Sequence, residues 1–187
     1  KGVIMTTTSC QLSPNRNPHL NQDDIEESFK NLLGAEKVLW LENGYLAGDD
    51  TDSHIDTLAR FCDEKTIAYV QCTDEKDEHF EALSAMEKEL QAFTDLEGNP
   101  YQLIALPMAD ACYDEDGNRL PATYANFTII NGAVLVPTYG VAQDEAALEI
   151  LKKCFPDREI IGINCFPLIL QHGSLHCVTM QYPEGVL

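Results

Sequence analysis

The feature that most constrains this chain is a recurring order of elements, strand–strand–helix–strand, legible in its hydrophobic periodicity. Residues 57–61 and Thr66–Gln71 read as a pair of short strands. Residues 78–93 follow as a helix with Phe80, Leu83, Leu90 and Phe93 on one side, and 101–106 closes the unit as a strand. The order then repeats. Strands 124–130 and 133–137 are joined by Asn131-Gly132, the strongest two-residue hairpin signal. Helix 144–155 carries Ala147, Leu148, Leu151 and Phe155, and 159–163 is the closing strand. A partial copy comes first: strand 3–9, a polar loop at Asn15-Arg16-Asn17-Pro18, a helix over 23–33 and a buried strand at Lys37–Leu41. In that helix Ile25, Phe29, Leu32 and Leu33 define one apolar face, with Asn21 as its cap and Gly34 as its stop. A further unit is expected to begin near Leu175.

Such α/β units bury their faces only against one another, and a ring of them would close the core. The chain starts and stops inside a unit, so the expectation is part of such a ring, with something missing upstream.

Composition narrows the function. The chain has 187 residues, 44% of them hydrophobic, enough for a packed core. The net charge of −19, from 31 acidic and 12 basic residues, argues against nucleic acid, whose phosphates demand Lys and Arg. It suits a cationic partner, although most of the carboxylates are expected simply to solvate helix faces. No apolar run approaches a membrane span and no secretory signal is visible. Seven cysteines without disulfide-like spacing read as free thiols in a reducing cytoplasm.

Near the end of the chain stands Gly173-Ser174-Leu175-His176-Cys177-Val178-Thr179, and far upstream Asp52-Ser53-His54-Ile55-Asp56. A thiol nucleophile needs a proton acceptor and donor, and a histidine can be both near neutral pH. A carboxylate two residues after that histidine, on an extended segment, would point to the same face and hold a cationic substrate beside the thiol. Cys177, His54 and Asp56 are therefore the candidate site. The plainer alternatives are a small buried thiol, an ordinary satisfied histidine and a turn carboxylate. Gly173 is either a close-approach position or a turn glycine. His176, beside Cys177 on a presumed strand, should face the other way and is read as structural. Asp49, Asp50 and Asp52 are read as loop carboxylates. His172, His176, Cys177 and His54 could offer zinc ligands, but no Cys-x-x-Cys pair or His-Glu-x-x-His supports a metal, and no phosphate or dinucleotide loop is present.

Together with Thr8-Ser9-Cys10-Gln11-Leu12-Ser13-Pro14-Asn15-Arg16-Asn17-Pro18 and Tyr124-Ala125-Asn126-Phe127, these motifs resemble the agmatine deiminase and bacterial-type peptidylarginine deiminase family of the pentein superfamily. The resemblance covers the chain and matches the C-terminal half of longer family members. It implies an α/β-propeller of ββαβ modules around a pseudo-fivefold axis, with residues 1–187 as part of a single propeller domain. It also implies that Cys177 attacks a guanidinium carbon, that His54 acts as general acid and base, and that Asp56 grips the guanidinium through two hydrogen bonds. The expected reaction converts agmatine to N-carbamoylputrescine, a polyamine precursor, without a cofactor. The alternatives are the same chemistry on peptidyl-arginine, and a propeller fragment that only binds or assembles. The partners implied are a guanidino substrate, the N-terminal half of the same protein and, as a further option, a second copy of the chain.

Overall fold

The computed structural model describes residues 2–51, 53–182 and 185–186. Asp52, grouped above with Asp49 and Asp50, lies outside them. Strand β1 (Val3–Thr7) leads into a one-turn helix α1 (Thr8–Gln11), then α2 (Gln22–Leu33) and β2 (Lys37–Leu41). A 3₁₀ turn over Ile55–Thr57 precedes β3 (Ala59–Phe61), β4 (Thr66–Gln71), α3 (Phe80–Ala92) and β5 (Gln102–Pro107). The third set is β6 (Thr128–Ile130), β7 (Ala133–Thr138), α4 (Asp144–Cys154) and β8 (Glu159–Asn164). A short α5 (Phe166–Ile169) and a 3₁₀ turn at His176–Val178 follow.

The repeated order is present in the topology. In the second and third sets the first strand runs antiparallel to the middle one, which runs parallel to the third. In the first set β1 pairs in parallel with β2 alone. A parallel pair needs a crossover, and the helix in each set supplies it. Each later helix also packs backward: α3 contacts β4 of its own sheet and β2 of the preceding one, and α4 contacts β8 and β5. One helix thus covers two sheets, which is how successive modules share cores.

Strand β4 shows this packing most clearly. Its residues from Thr66 to Val70 are all buried. Ile67 and Tyr69 enter a core with Met5, Leu39, Leu83, Met86 and Leu90. Ala68, on the other face, enters the core of the third module with Val134, Val136, Ala147 and Leu151. A strand buried on both sides reads as a continuous apolar run rather than an alternating one.

Local signals account for the element ends. Asn21 and Asp24 form a reciprocal capping box, and Gly34 ends α2 at φ 70°. Gly132 adopts φ 78° in the two-residue β6–β7 turn.

Several expectations need correction. Strand 3–9 stops at Thr7 because the Thr7 hydroxyl accepts the Cys10 N–H and starts a helical turn. The strand expected from residue 57 begins at Ala59, behind the 3₁₀ turn. Of 124–130 only Thr128–Ile130 is strand, since Tyr124 to Phe127 are buried in a non-repeating segment that bonds by side chains. No strand begins near Leu175 among the described residues. On α2, Ile25 is buried, but Leu32 and Leu33 are 81% and 68% exposed, so the apolar face is only partly covered.

The loop between β2 and the first 3₁₀ turn is pinned at two points. His79 Nε2 accepts the Ala47 N–H at 2.8 Å while its Nδ1 meets Asp77 at 2.6 Å. Gly48, at φ +80°, lies so close to the next segment that a Cβ there would stand 2.5 Å from the Arg119 carbonyl oxygen. Its own carbonyl accepts from His172 Nδ1 at 2.8 Å. We expect Gly48→Ala to lower stability by at least about 1 kcal/mol, because both the left-handed backbone and the close approach are lost. Urea denaturation compared with wild type measures it, and an unchanged midpoint would contradict this packing.

Candidate active site

The candidate site forms where three separated segments meet: the 3₁₀ turn after His54, the buried segment before β6, and the 173–178 segment. Asn126, fully buried, joins them. Its Nδ2 donates to the Asp56 carbonyl oxygen and to Asp56 Oδ2, both at 3.1 Å. Its Oδ1 accepts the His176 N–H at 2.8 Å and the Cys177 thiol at 3.6 Å. The amide has one consistent orientation, since flipping it would set NH₂ against N–H and oxygen against carboxylate.

His176 is not a strand neighbour facing away. It lies in a 3₁₀ turn, and its Nδ1 donates to Asp56 Oδ2 at 2.6 Å. An extended backbone, on which His176 would face away from Cys177, is replaced here by a 3₁₀ turn. Asp56 is likewise not on an extended segment with His54. The turn directs Asp56 toward Asn126 and His176, while His54 Nε2 accepts from Arg16 Nη2 at 2.6 Å. His54 is positioned by its predecessor: Ser53 takes a left-handed φ of 54°, and its carbonyl accepts the Thr7 hydroxyl at 2.7 Å.

Both protein hydrogen bonds to the Asp56 carboxylate fall on Oδ2, which leaves Oδ1 facing no protein donor among the described residues. Burial alone would raise the Asp56 carboxyl. The hydrogen bond and charge of His176, with the Arg60 guanidinium nearby, outweigh it and hold the carboxyl below its usual value. Arg60 is itself fixed by donation to the Phe127 carbonyl at 2.7 Å and by stacking 5.1 Å from the Phe127 ring centroid.

Cys177 is exposed, unlike Cys10, Cys72, Cys112 and Cys165, which are buried. Gly173 has no left-handed backbone. A Cβ there would stand 3.4 Å from Cys177 Cβ and 3.9 Å from Sγ, so the glycine keeps one side of the thiol clear. Ser174 anchors this segment through Tyr139, whose hydroxyl lies 2.8 Å from Ser174 Oγ and donates to the Thr123 carbonyl. The Thr123 hydroxyl in turn donates to the Thr57 carbonyl, tying the segment back to the Asp56 turn.

The structure thus brings Cys177, Gly173 and Asp56 together and places His54 at the start of the Asp56 turn. It adds Asn126, His176, Arg60 and Arg16, none of which had been given a role at the site. The signal for Asn126 was present as a polar residue inside an otherwise apolar Tyr124–Phe127 run. Of the sequence-considered zinc ligands, His172 Nδ1 is taken by Gly48 and His176 Nδ1 by Asp56. Among the described residues no group of three or more His, Cys, Asp or Glu side chains is arranged to hold a metal ion. No helix among them is long and apolar enough to cross a membrane. A cleft of about 540 Å³ beside Phe61 and Tyr101 contains none of the candidate site residues.

Successive sheets that share cores through their helices, matched over half the length of similar structures, make the chain a partial pentein α/β propeller. The profile of the family described as Porphyromonas-type peptidyl-arginine deiminase matches residues 1–183, and the chain belongs to that family, which includes agmatine deiminases. A Porphyromonas gingivalis structure provisionally named an arginine deiminase is 58% identical, with a TM-score of 0.96 over 98% of this chain and 54% of that one. A C. jejuni agmatine deiminase, a cysteine-to-serine variant with substrate bound, is 45% identical, with a TM-score of 0.88 over 94% of this chain and 51% of that one. An agmatine deiminase of Medicago truncatula is 33% identical over 98% of this chain and 54% of its own length. The chain spans about half the length of the curated relatives it matches.

Two outcomes follow from this geometry. Asn126→Ala should cost about 1–3 kcal/mol, because the Asp56 carbonyl loses its donor and Asp56 Oδ2, the His176 N–H and the Cys177 thiol each lose a partner; chemical denaturation checks it. The Asp56 carboxyl is depressed, so its contribution to folding is complete above its unfolded value of about 3.9 and is lost as pH falls through the folded one. Asp56→Asn should therefore flatten the acid side of the stability–pH curve, and a curve as steep as wild type would sink the assignment.

Proposed function

We propose that this chain carries the nucleophile and part of the substrate site of an amidine hydrolase that converts agmatine to N-carbamoylputrescine and ammonia. The observation that carries the reading is the exposed Cys177 thiol, open on the Gly173 side and set against the Asn126–Asp56–His176 cluster. The substrate-bound agmatine deiminase among the similar structures supports the choice of substrate.

In this reading His54 takes the proton of the Cys177 thiol, and the thiolate attacks the guanidinium carbon, a resonance-stabilised and weak electrophile that calls for a strong nucleophile. The tetrahedral adduct expels ammonia, protonated by His54, and leaves an S-alkylthiouronium on Cys177. His54 then takes a proton from water as it attacks. Collapse releases the ureido product and the thiolate, which recovers its proton from His54, and the proton carried in by the guanidinium leaves with the ammonia as ammonium. Atoms and charge balance with water as the sole co-reactant, and no cofactor is called for. Asp56 contributes Oδ1 to the guanidinium while Asn126 and His176 hold Oδ2. That replaces the two-oxygen grip expected above with a one-oxygen contact on an oriented carboxylate.

A second reading keeps this chemistry and acts on arginine in peptides. It is favoured by the family's description as peptidyl-arginine deiminases. Ammonia release from agmatine, free arginine and a peptide ending in arginine, measured on the intact protein, separates the two.

Cys177→Ser is expected to abolish turnover with an unchanged melting curve, and ammonia release near the wild-type rate would remove Cys177 from the mechanism. Asp56→Asn should lower kcat/KM by at least about a hundredfold, or roughly 2.7 kcal/mol, since it both weakens binding and misplaces the reacting carbon. A mutant that keeps turnover, and keeps preferring a cationic over a neutral alkylating reagent, would make Asp56 a structural loop residue.

A further inference from the structure

Arg16 is exposed, yet its Nη2 stands 2.6 Å from His54 Nε2, across 38 residues of sequence. Two arms of the chain bring the groups together, and Thr7 ties both. The Thr7 hydroxyl accepts the Cys10 N–H, starting the helical turn that leads toward the Arg16 loop. The same hydroxyl donates to the carbonyl of Ser53, the residue before His54. The loop is shaped by buried Ser13, whose carbonyl accepts the Arg16 N–H at 3.0 Å. The encounter is therefore set by the backbone as well as by two side chains meeting.

A guanidinium can only donate, so the nitrogen it meets must be the acceptor. His54 in this state is a neutral imidazole with its proton on Nδ1, and Arg16 covers the ring's one basic lone pair. A histidine covered in this way is held in place but cannot take up a proton at Nε2.

We propose that Arg16 is a positioning residue that acts through His54. In the empty site it latches the imidazole in the Nδ1–H tautomer, and a cationic guanidino group arriving at Asp56 displaces it and frees Nε2. The displaced side chain returns to water, where a long exposed cation is readily solvated. Repulsion between the two guanidiniums drives the exchange, and Asp56 Oδ1 retains the incoming one. This rests on the deiminase reading for the identity of the incoming group, but not for the state of the empty site.

The test uses the intact protein labelled with ¹⁵N-histidine, with the His54 resonances assigned through His54→Gln. Long-range ¹H–¹⁵N spectra report which ring nitrogen carries the proton. We expect the Nδ1–H tautomer in wild type and its loss in Arg16→Ala, with Arg16→Lys in between and all three melting alike. The Nε2–H tautomer in wild type, or a spectrum unchanged in Arg16→Ala, overturns the latch. Agmatine titrated into Cys177→Ser should move the His54 signals, and unchanged signals with agmatine bound overturn the displacement. In steady state, Arg16→Ala should lower KM about threefold or more with kcat nearly unchanged, because substrate no longer competes with the latch. An unchanged or raised KM with reduced kcat shows instead that Arg16 stays in the site and works there, which overturns it too. If no guanidino compound is turned over or bound, the wild-type tautomer still decides the latch while the deiminase reading falls.

Discussion

One buried amide holds the candidate site together. Asn126 has no exposed surface and uses its donors on Asp56 and its acceptor on the backbone of His176 and the thiol of Cys177. A buried amide is costly unless every polar atom is paired, and each pairing here reaches a different part of the chain. The segments around residues 56 and 176 lie 120 residues apart. With the amide in place, each can be held only in the arrangement that satisfies it.

The module packing makes that clamp possible. The segment from Ala122 to Phe127 is buried in one core with residues of α4, of the third sheet and with Ala68 of β4 from the second module. The Thr57–Thr123–Tyr139–Ser174 chain of hydrogen bonds runs parallel to the Asn126 contacts and fixes the same two segments a second time. The reactive groups stand on short turns rather than on the strands, while the rigid sheets determine where those turns begin. Loops set on a stiff scaffold are the usual place for chemistry.

Electrostatics then divides the work. The chain carries a net charge of −19, but the site depends on a few local groups. Asp56 stays ionised in a half-buried setting because His176 and Arg60 offset the cost of burial. In the proposed reading, with Oδ2 committed to the protein, the remaining oxygen is oriented before substrate arrives, which reduces the ordering cost of binding. Two arginines, Arg16 and Arg60, accompany a site read as taking a cation. Arg60 is pinned to Phe127, whereas Arg16 is exposed and donates to His54.

The sequence alone was enough to establish the module order, the Asn131-Gly132 hairpin, the Asn21 cap and Gly34 stop, and Cys177, His54 and Asp56 as the residues to watch. These are local: periodicity, turn chemistry and capping act within a few residues and leave their pattern in the sequence. The 3₁₀ turn before Ala59, the turn at His176, the burial of Asn126 and the meeting of Arg16 with His54 were not legible there. Each depends on contacts between segments tens of residues apart. A side chain such as His176, expected to face away on an extended backbone, turns toward Asp56 because Asn126 draws its N–H inward. The residue types able to do the chemistry were thus determined by the sequence. Which of them touch, and through which atom, was decided by the tertiary structure, because a buried polar group takes whatever partner the packing of distant elements brings within hydrogen-bond reach.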